Sequence, residues 1–318
     1  MPHHPSQRFV VRATVGATIL VAVLAACTAD TSDGAADSAA DSAAAAAAGR
    51  DSAAAPVLAG SIDSLQAPEA VRYDPDQDVY FVANINGEPT QVDGNGFIAR
   101  VHPDSLGAPN LAFIQGGRNG VTLDAPKGMA LKGDTLWVTD IHAVRAFHRV
   151  TGAPLASVDL TANGADFLND VAVGPDGALF VTDTRANRIF RIAGKDVTDA
   201  TQGNPLASPN GITWDEAGRR WIVVPFGGPG LWTWTPGQPP ATIASGQGRY
   251  DGVEVLADGR VLVSDWTDST VKAVDASGTM TTIVTGVASP ADIGVDTRRN
   301  RVLIPLLTGD RVVVYEMR

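Results

Sequence analysis

Six copies of one short pattern recur along the chain at a nearly fixed interval, and this limits the fold more than any other feature. They begin APEAVRYDPDQDVYFVAN (67–84), APKGMALKGDTLWVTD (125–140), FLNDVAVGPDGALFVTD (167–183), SPNGITWDEAGRRWIVVP (208–225), RYDGVEVLADGRVLVSD (249–265) and SPADIGVDTRRNRVLIPL (289–306). Their third residues are Glu69, Lys127, Asn169, Asn210, Asp251 and Ala291, spaced 58, 42, 41, 41 and 40 residues apart. A period near 40 with several strands per repeat is the mark of propeller blades.

Each copy reads strand, turn, strand. The first strand alternates, as at Val171 and Val173 or Ile212 and Trp214. A turn such as Pro-Asp-Gly or Ala-Asp-Gly follows, where glycine takes positive φ at little cost. The second strand is a continuous apolar run (LWVTD, LFVTD, VLVSD), as for a strand buried on both faces. Two further strands complete four per blade. The last copy ends one strand short, and PVLAGSI (56–62) resembles the fourth-strand segments ATIASG (241–246) and TTIVTG (281–286). The expected fold is therefore an all-β, six-bladed β-propeller over 57–318, its last blade completed by an N-terminal strand that removes a free sheet edge.

The first 56 residues follow other rules. Arg8 and Arg12 precede an apolar run (13–26) too short to span a bilayer, the pattern of a secretory signal peptide over 1–26. The run ends Leu24-Ala25-Ala26-Cys27, which resembles a bacterial lipobox. Cys27, the sole cysteine, is the expected lipidation site. Residues 27–56 are almost all Ala, Ser, Asp, Thr and Gly and cannot bury enough apolar surface to order themselves, so they are expected to be a tether. The protein is expected to be exported, anchored to a membrane through Cys27 alone (outer membrane, periplasm or cell surface), and monomeric.

Composition removes other classes. A net charge of −11 without any basic run argues against nucleic acid as a partner. One cysteine permits no intrachain disulfide. P-loop, GxGxxG, GxSxG and HExxH motifs are absent from the sequence.

In a propeller the first residues of the innermost strands meet at one mouth of the central channel, together with the loops after each second strand. Glu69, Asn169, Asn210 and Asp251 all bring oxygen to that mouth, a hard set suited to Ca²⁺ or another divalent cation and lacking the His or Cys that zinc prefers. Asx residues that cap turns would produce the same spacing. Lys127 takes the remaining polar place in the ring. Pointing inward it would repel a cation, and could displace one by pairing with Glu69 or Asp251; leaning out to water along its stem it would be harmless. His142 follows the second strand of blade 2, a place for a general base or for an ordinary loop histidine. Phe167, Phe226, Trp266 and Asp292 are further pocket candidates, the aromatic ones as walls for an acyl or aryl group. An insertion at Ile85–Gly96 has the length of a lid or of a tolerated loop. Asp183, Asn187 and Arg188 resemble the residues that hold NHL-type blades together.

At the ring residues the chain resembles the regucalcin (senescence marker protein), gluconolactonase and luciferin-regenerating family of six-bladed propellers. The matching segments are Pro68-Glu69-Ala70, Leu168-Asn169-Asp170, Pro209-Asn210-Gly211 and Tyr250-Asp251-Gly252, in the family's blade order 1, 3, 4 and 5. The resemblance implies one divalent cation held by Glu69, Asn169, Asn210 and Asp251, with Asp251 also acting as base or nucleophile on a small ester or lactone. Three departures weigh against a sugar lactone or against catalysis: Lys127 in the ring, Phe167 where sugar-lactonase members carry Arg, and Ala70 in place of Gly. Two functions follow, a calcium-dependent lactonase or esterase and a non-catalytic NHL-like propeller that binds a ligand or protein.

Overall fold

The structure is a computed structural model that describes residues 55–203 and 206–318. The signal peptide, the lipidated Cys27 and nearly all of the tether fall outside the described residues.

Among the described residues there are twenty-four β-strands and no α-helix. The first repeat contains β2 (Pro68–Asp74), β3 (Val79–Asn84), β4 (Phe97–Val101) and β5 (Asn110–Gln115), and the second β6 (Pro126–Lys132), β7 (Thr135–Asp140), β8 (Ala143–His148) and β9 (Pro154–Asp159). The third contains β10 (Leu168–Val173), β11 (Leu179–Asp183), β12 (Arg188–Ala193) and β13 (Asp196–Asp199). The fourth contains β14 (Pro209–Asp215), β15 (Arg220–Gly228), β16 (Leu231–Trp234) and β17 (Ala241–Ala244). The fifth contains β18 (Gly248–Val255), β19 (Val261–Asp265), β20 (Thr270–Val274) and β21 (Met280–Thr285). The last unit contains β22 (Gly294–Asp296), β23 (Arg301–Leu306) and β24 (Arg311–Glu316), completed by β1 (Val57–Ile62).

Each unit is an antiparallel sheet in sequence order, and β1 pairs with β24, so the N-terminal strand closes the last unit as expected. The inner strands β2, β6, β10, β14, β18 and β22 each touch the next, and β22 returns to β2, which closes a ring. The fourth and fifth units are also joined edge to edge. β15 runs on past Pro225, and Phe226 and Gly228 pair with Arg249 and Gly248 of β18. These residues, expected in a loop, are extended because their backbone groups find a partner there.

Burial falls outward from the ring axis. The second strands β3, β11 and β19 are buried at every residue, as their unbroken apolar runs require, whereas β9 is exposed at nearly every residue. The alternation expected of the first strands is lost over their opening residues. In β10 and β14 the first four residues are all buried, because both faces there meet a neighbouring inner strand.

The pairing of the inner strands breaks at the ring residues. Register shifts fall between Pro68 and Ala70, Pro126 and Met129, Leu168 and Val171, Pro209 and Ile212, and Tyr250 and Val253. Such bulges re-aim one side chain out of the sheet. The glycines that follow have a packing reason. A Cβ on Gly211 would lie 2.3 Å from the Asp251 carbonyl oxygen, and one on Gly252 would lie 2.3 Å from the Ile293 nitrogen.

Candidate functional site

Glu69, Lys127, Asn169, Asn210 and Asp251 line one cavity of about 190 Å³, with Ile85, Pro89, Phe167, Thr184, Phe226, Trp266 and Leu307. The bulges place the polar residues, and hydroxyl groups hold the bulges. Thr182 Oγ1 donates to the Asn210 carbonyl of the next unit (2.6 Å) and accepts from the Asp170 N–H of its own (2.9 Å). Thr139 Oγ1 donates in the same way to the Asn169 carbonyl, and Ser264 Oγ to the Ala291 carbonyl (2.8 Å) while accepting from Gly252 N–H (2.8 Å). The Thr or Ser ahead of the terminal Asp in VTD and VSD is therefore a link between units. Its functional weight was missed in the sequence, although the motif itself was visible.

The Asp that ends these strands fixes the entry to the inner strand. Asp140 Oδ1 accepts from Asp124 and Ala125 N–H (3.0 and 2.9 Å), and Asp183 accepts from Asp166 and Phe167 N–H (2.8 and 3.0 Å). Asn187 Oδ1 accepts from Ser208 N–H at 2.7 Å, a structural part like that of Asp183.

Four oxygens at this cavity are buried without any hydrogen-bond partner: Glu69 Oε2, Asn169 Oδ1, Asn210 Oδ1 and Asp251 Oδ1. Each orphaned acceptor costs ~1–3 kcal/mol, so four around one space are a strong demand for something positive. Two carboxylates and two carboxamides fit a hard divalent cation that fills the rest of its ~6–8 sites with water or substrate. Among the described residues no three His, Cys, Asp or Glu side chains gather to hold a metal ion, so the amide oxygens are essential to this fit.

The titratable groups reflect the same shortage of positive charge. Burial, and then the negative charge of Asp251, hold the Glu69 carboxyl well above the usual carboxylate range. Burial pushes Asp251 up to about 7. Trp266 lies close enough to pull it back, yet Trp266 Nε1 and Asp251 Oδ1 are both buried without a partner at hydrogen-bond geometry.

Lys127 takes the inward course open to it from the sequence, lining the cavity, but without the pairing. It is 1% exposed, yet among the described residues its Nζ makes no ion pair of 4.0 Å or less. The ammonium donates to the Ala125 carbonyl (2.9 Å) and lies 4.6 Å from the centre of the Phe167 ring. Burial lowers its pKa to about 8, against the attraction of Glu69. It lines the cavity wall without pairing with either carboxylate.

Two expected pocket residues do not line this cavity. His142 lies in a separate surface hollow with Asp124, Asp140 and Arg145, because the tight turn between β7 and β8 carries it outward. Asp292 belongs to a deeper layer of the channel. There Arg72 reaches Asp292 Oδ2 (2.9 Å), Glu254 and, at 3.7 Å, Asp170 Oδ1. The Ile85–Gly96 loop brings Ile85 and Pro89 to the cavity and is pinned by Asn86 Nδ2 on the Asn95 carbonyl (2.9 Å) and by Gly94 N–H on Asp124 Oδ1 (2.8 Å). A larger cleft of about 380 Å³ lies apart from the ring, among Phe180, Trp214, Trp221 and Trp234.

A closed ring of four-stranded antiparallel sheets with oxygen-bearing side chains gathered at inner-strand bulges defines a β-propeller with an acidic cavity. Solved structures of the same fold include gluconolactonase from Xanthomonas campestris, at TM-score 0.62 and 16% identity over 84% of this chain and 96% of that one. Regucalcin from Agrobacterium tumefaciens, a calcium-binding protein, matches at TM-score 0.61 and 15% identity over 83% of this chain and 94% of that one. A catalytically inactive histidine-to-alanine variant of virginiamycin B lyase from Staphylococcus aureus, solved with quinupristin, matches at TM-score 0.57 and 15% identity over 83% of this chain and 98% of that one. At these identities the likeness is one of fold. No protein-family model matches the chain, and no curated protein matches it in sequence.

Proposed function

We propose that this protein is a divalent-cation-dependent hydrolase of lactones or esters, acting at the ring cavity. The observation that carries this reading is the set of four buried, unpartnered oxygens of Glu69, Asn169, Asn210 and Asp251 around one space. The gluconolactonase and regucalcin folds support it. Calcium is the preferred cation, because the donors are all oxygen.

Those four residues would hold the cation. When bound, it supplies Lewis-acid polarisation of the ester or lactone carbonyl. Asp251, which lines the same cavity, would take a proton from water. The water oxygen bonds to the carbonyl carbon and its proton passes to an Asp251 oxygen. The acyl–oxygen bond then breaks and the leaving oxygen recovers that proton, which yields an acid and an alcohol. Ile85, Phe226, Trp266 and Leu307 keep bulk water from the cavity.

The second reading, a binding propeller without turnover, predicted the Lys127 ammonium within reach of Glu69 or Asp251; Nζ bonds the Ala125 carbonyl instead, although it lines the same cavity.

The test is metal analysis of dialysed protein, calcium titration by calorimetry, and a lactone and aryl-ester panel with and without chelator. Stoichiometric calcium with chelator-sensitive hydrolysis is expected, and Asp251→Asn should lower kcat by ~10²-fold or more. Protein that binds no divalent cation and cleaves no ester, or full activity in Asp251→Asn, would overturn the reading.

A further inference from the structure

Arg249 packs against two walls of this cavity. The backbone pairing of Phe226 with Arg249 fixes its position, and its backbone N–H donates to Thr267 Oγ1 at 2.9 Å. Its guanidinium lies over the Phe226 ring (4.4 Å) and the Trp266 ring (5.5 Å), two walls of the cavity. It is exposed, and among the described residues it makes no ion pair within 4.0 Å. Arg185 lies over the Phe167 wall (4.7 Å), held only by an exposed contact of 3.9 Å to Asp166.

The cavity thus has three zones: oxygens at the floor, aromatic and aliphatic walls, and guanidinium groups stacked on those walls at the rim. A void of roughly 150 Å³ lined by apolar groups accepts a benzene-sized ring, and this one is about 190 Å³. These ring contacts hold the Arg249 guanidinium, which among the described residues makes no ion pair, in reach of a carboxylate partner. We propose that the substrate is an ester or lactone with a compact apolar ring and a carboxylate remote from the scissile bond, with Arg249 as its specificity-determining residue. The identity of the reacting carbonyl rests on the hydrolase reading; the carboxylate subsite does not.

Hydrolysis of 4-acetoxybenzoate and 3-acetoxybenzoate should be compared with that of phenyl acetate at low and high salt. The charged esters should show kcat/KM about tenfold higher at low salt, chiefly through KM, as for one charge-assisted contact. Arg249→Gln should remove that preference and Arg249→Lys should restore part of it. An equal or reversed preference, or one that Arg249→Gln leaves intact, overturns the proposal while the hydrolase reading stands. Binding of benzoate, measured by calorimetry against neutral phenol, keeps the two separable. If no ester is cleaved but benzoate binds and Arg249→Gln weakens it about tenfold, the subsite stands and the hydrolase reading falls. Benzoate binding no tighter than phenol, or unchanged in Arg249→Gln, overturns the subsite.

Discussion

Five carboxyl groups, Glu69, Asp170, Asp251, Glu254 and Asp292, share the interior of the ring with two cations, Arg72 and Lys127. Burial raises the pKa of each of these acids, and Asp251 reaches about 7. A raised carboxyl binds protons in the folded state that the unfolded chain gives up from about pH 4 upward. Stability of the cation-free protein should therefore fall as pH rises from about 4 to about 7, the reverse of a salt-bridged carboxylate. Lys127, lowered to about 8, acts in the opposite sense only above that pH. Thermal melts across this range in chelator should show the decline, and added calcium should abolish most of it. A flat profile in chelator would show that these acids titrate normally. The polar ring was legible here from spacing alone, since equal repeats put equivalent residues at equivalent places. His142 and Asp292 were not, because one turn or one bulge decides whether a neighbour faces the cavity, the surface or the deeper Arg72 layer.

At the scale of the strand, the bulged inner strand and the hydroxyl that secures it act together. Thr182 is fully buried and bonds to both the third and the fourth unit, next to the proposed ligand Asn210. Thr182→Val keeps the shape and leaves the Asn210 carbonyl and the Asp170 N–H without this partner. It should cost ~1–3 kcal/mol in chemical denaturation. It should also weaken calcium binding although Thr182 is no ligand, which calorimetry would detect. Unchanged affinity would mean that the bulge holds its ligand without the hydroxyl. The VTD and VSD runs were plain in the sequence as second strands. That their hydroxyl groups cross to the next unit was not, because nothing local to a strand states which carbonyl will lie opposite it.

For the whole molecule, stability depends on closing the ring. β1 buries little side-chain surface apart from Ile62, and its contribution is mainly the backbone ladder on β24. Removing residues up to 62 would leave β24 as an open edge, a template for association with other chains. Such a truncation should melt at lower temperature and form oligomers on size-exclusion chromatography, whereas truncation only to residue 54 should do neither. A monomeric, equally stable protein without β1 would refute the closing role.

The repeat period, the apolar second strands and the strand missing from the last repeat determined the architecture from sequence, because hydrophobic period and chain connectivity act through near neighbours and repeat faithfully. Tertiary structure alone decided where the Lys127 ammonium goes, that four ring oxygens stay without partners, and that Arg249 is stacked on two cavity walls. Those outcomes depend on how side chains from several units come together around one space, and no local pattern in the chain encodes that meeting.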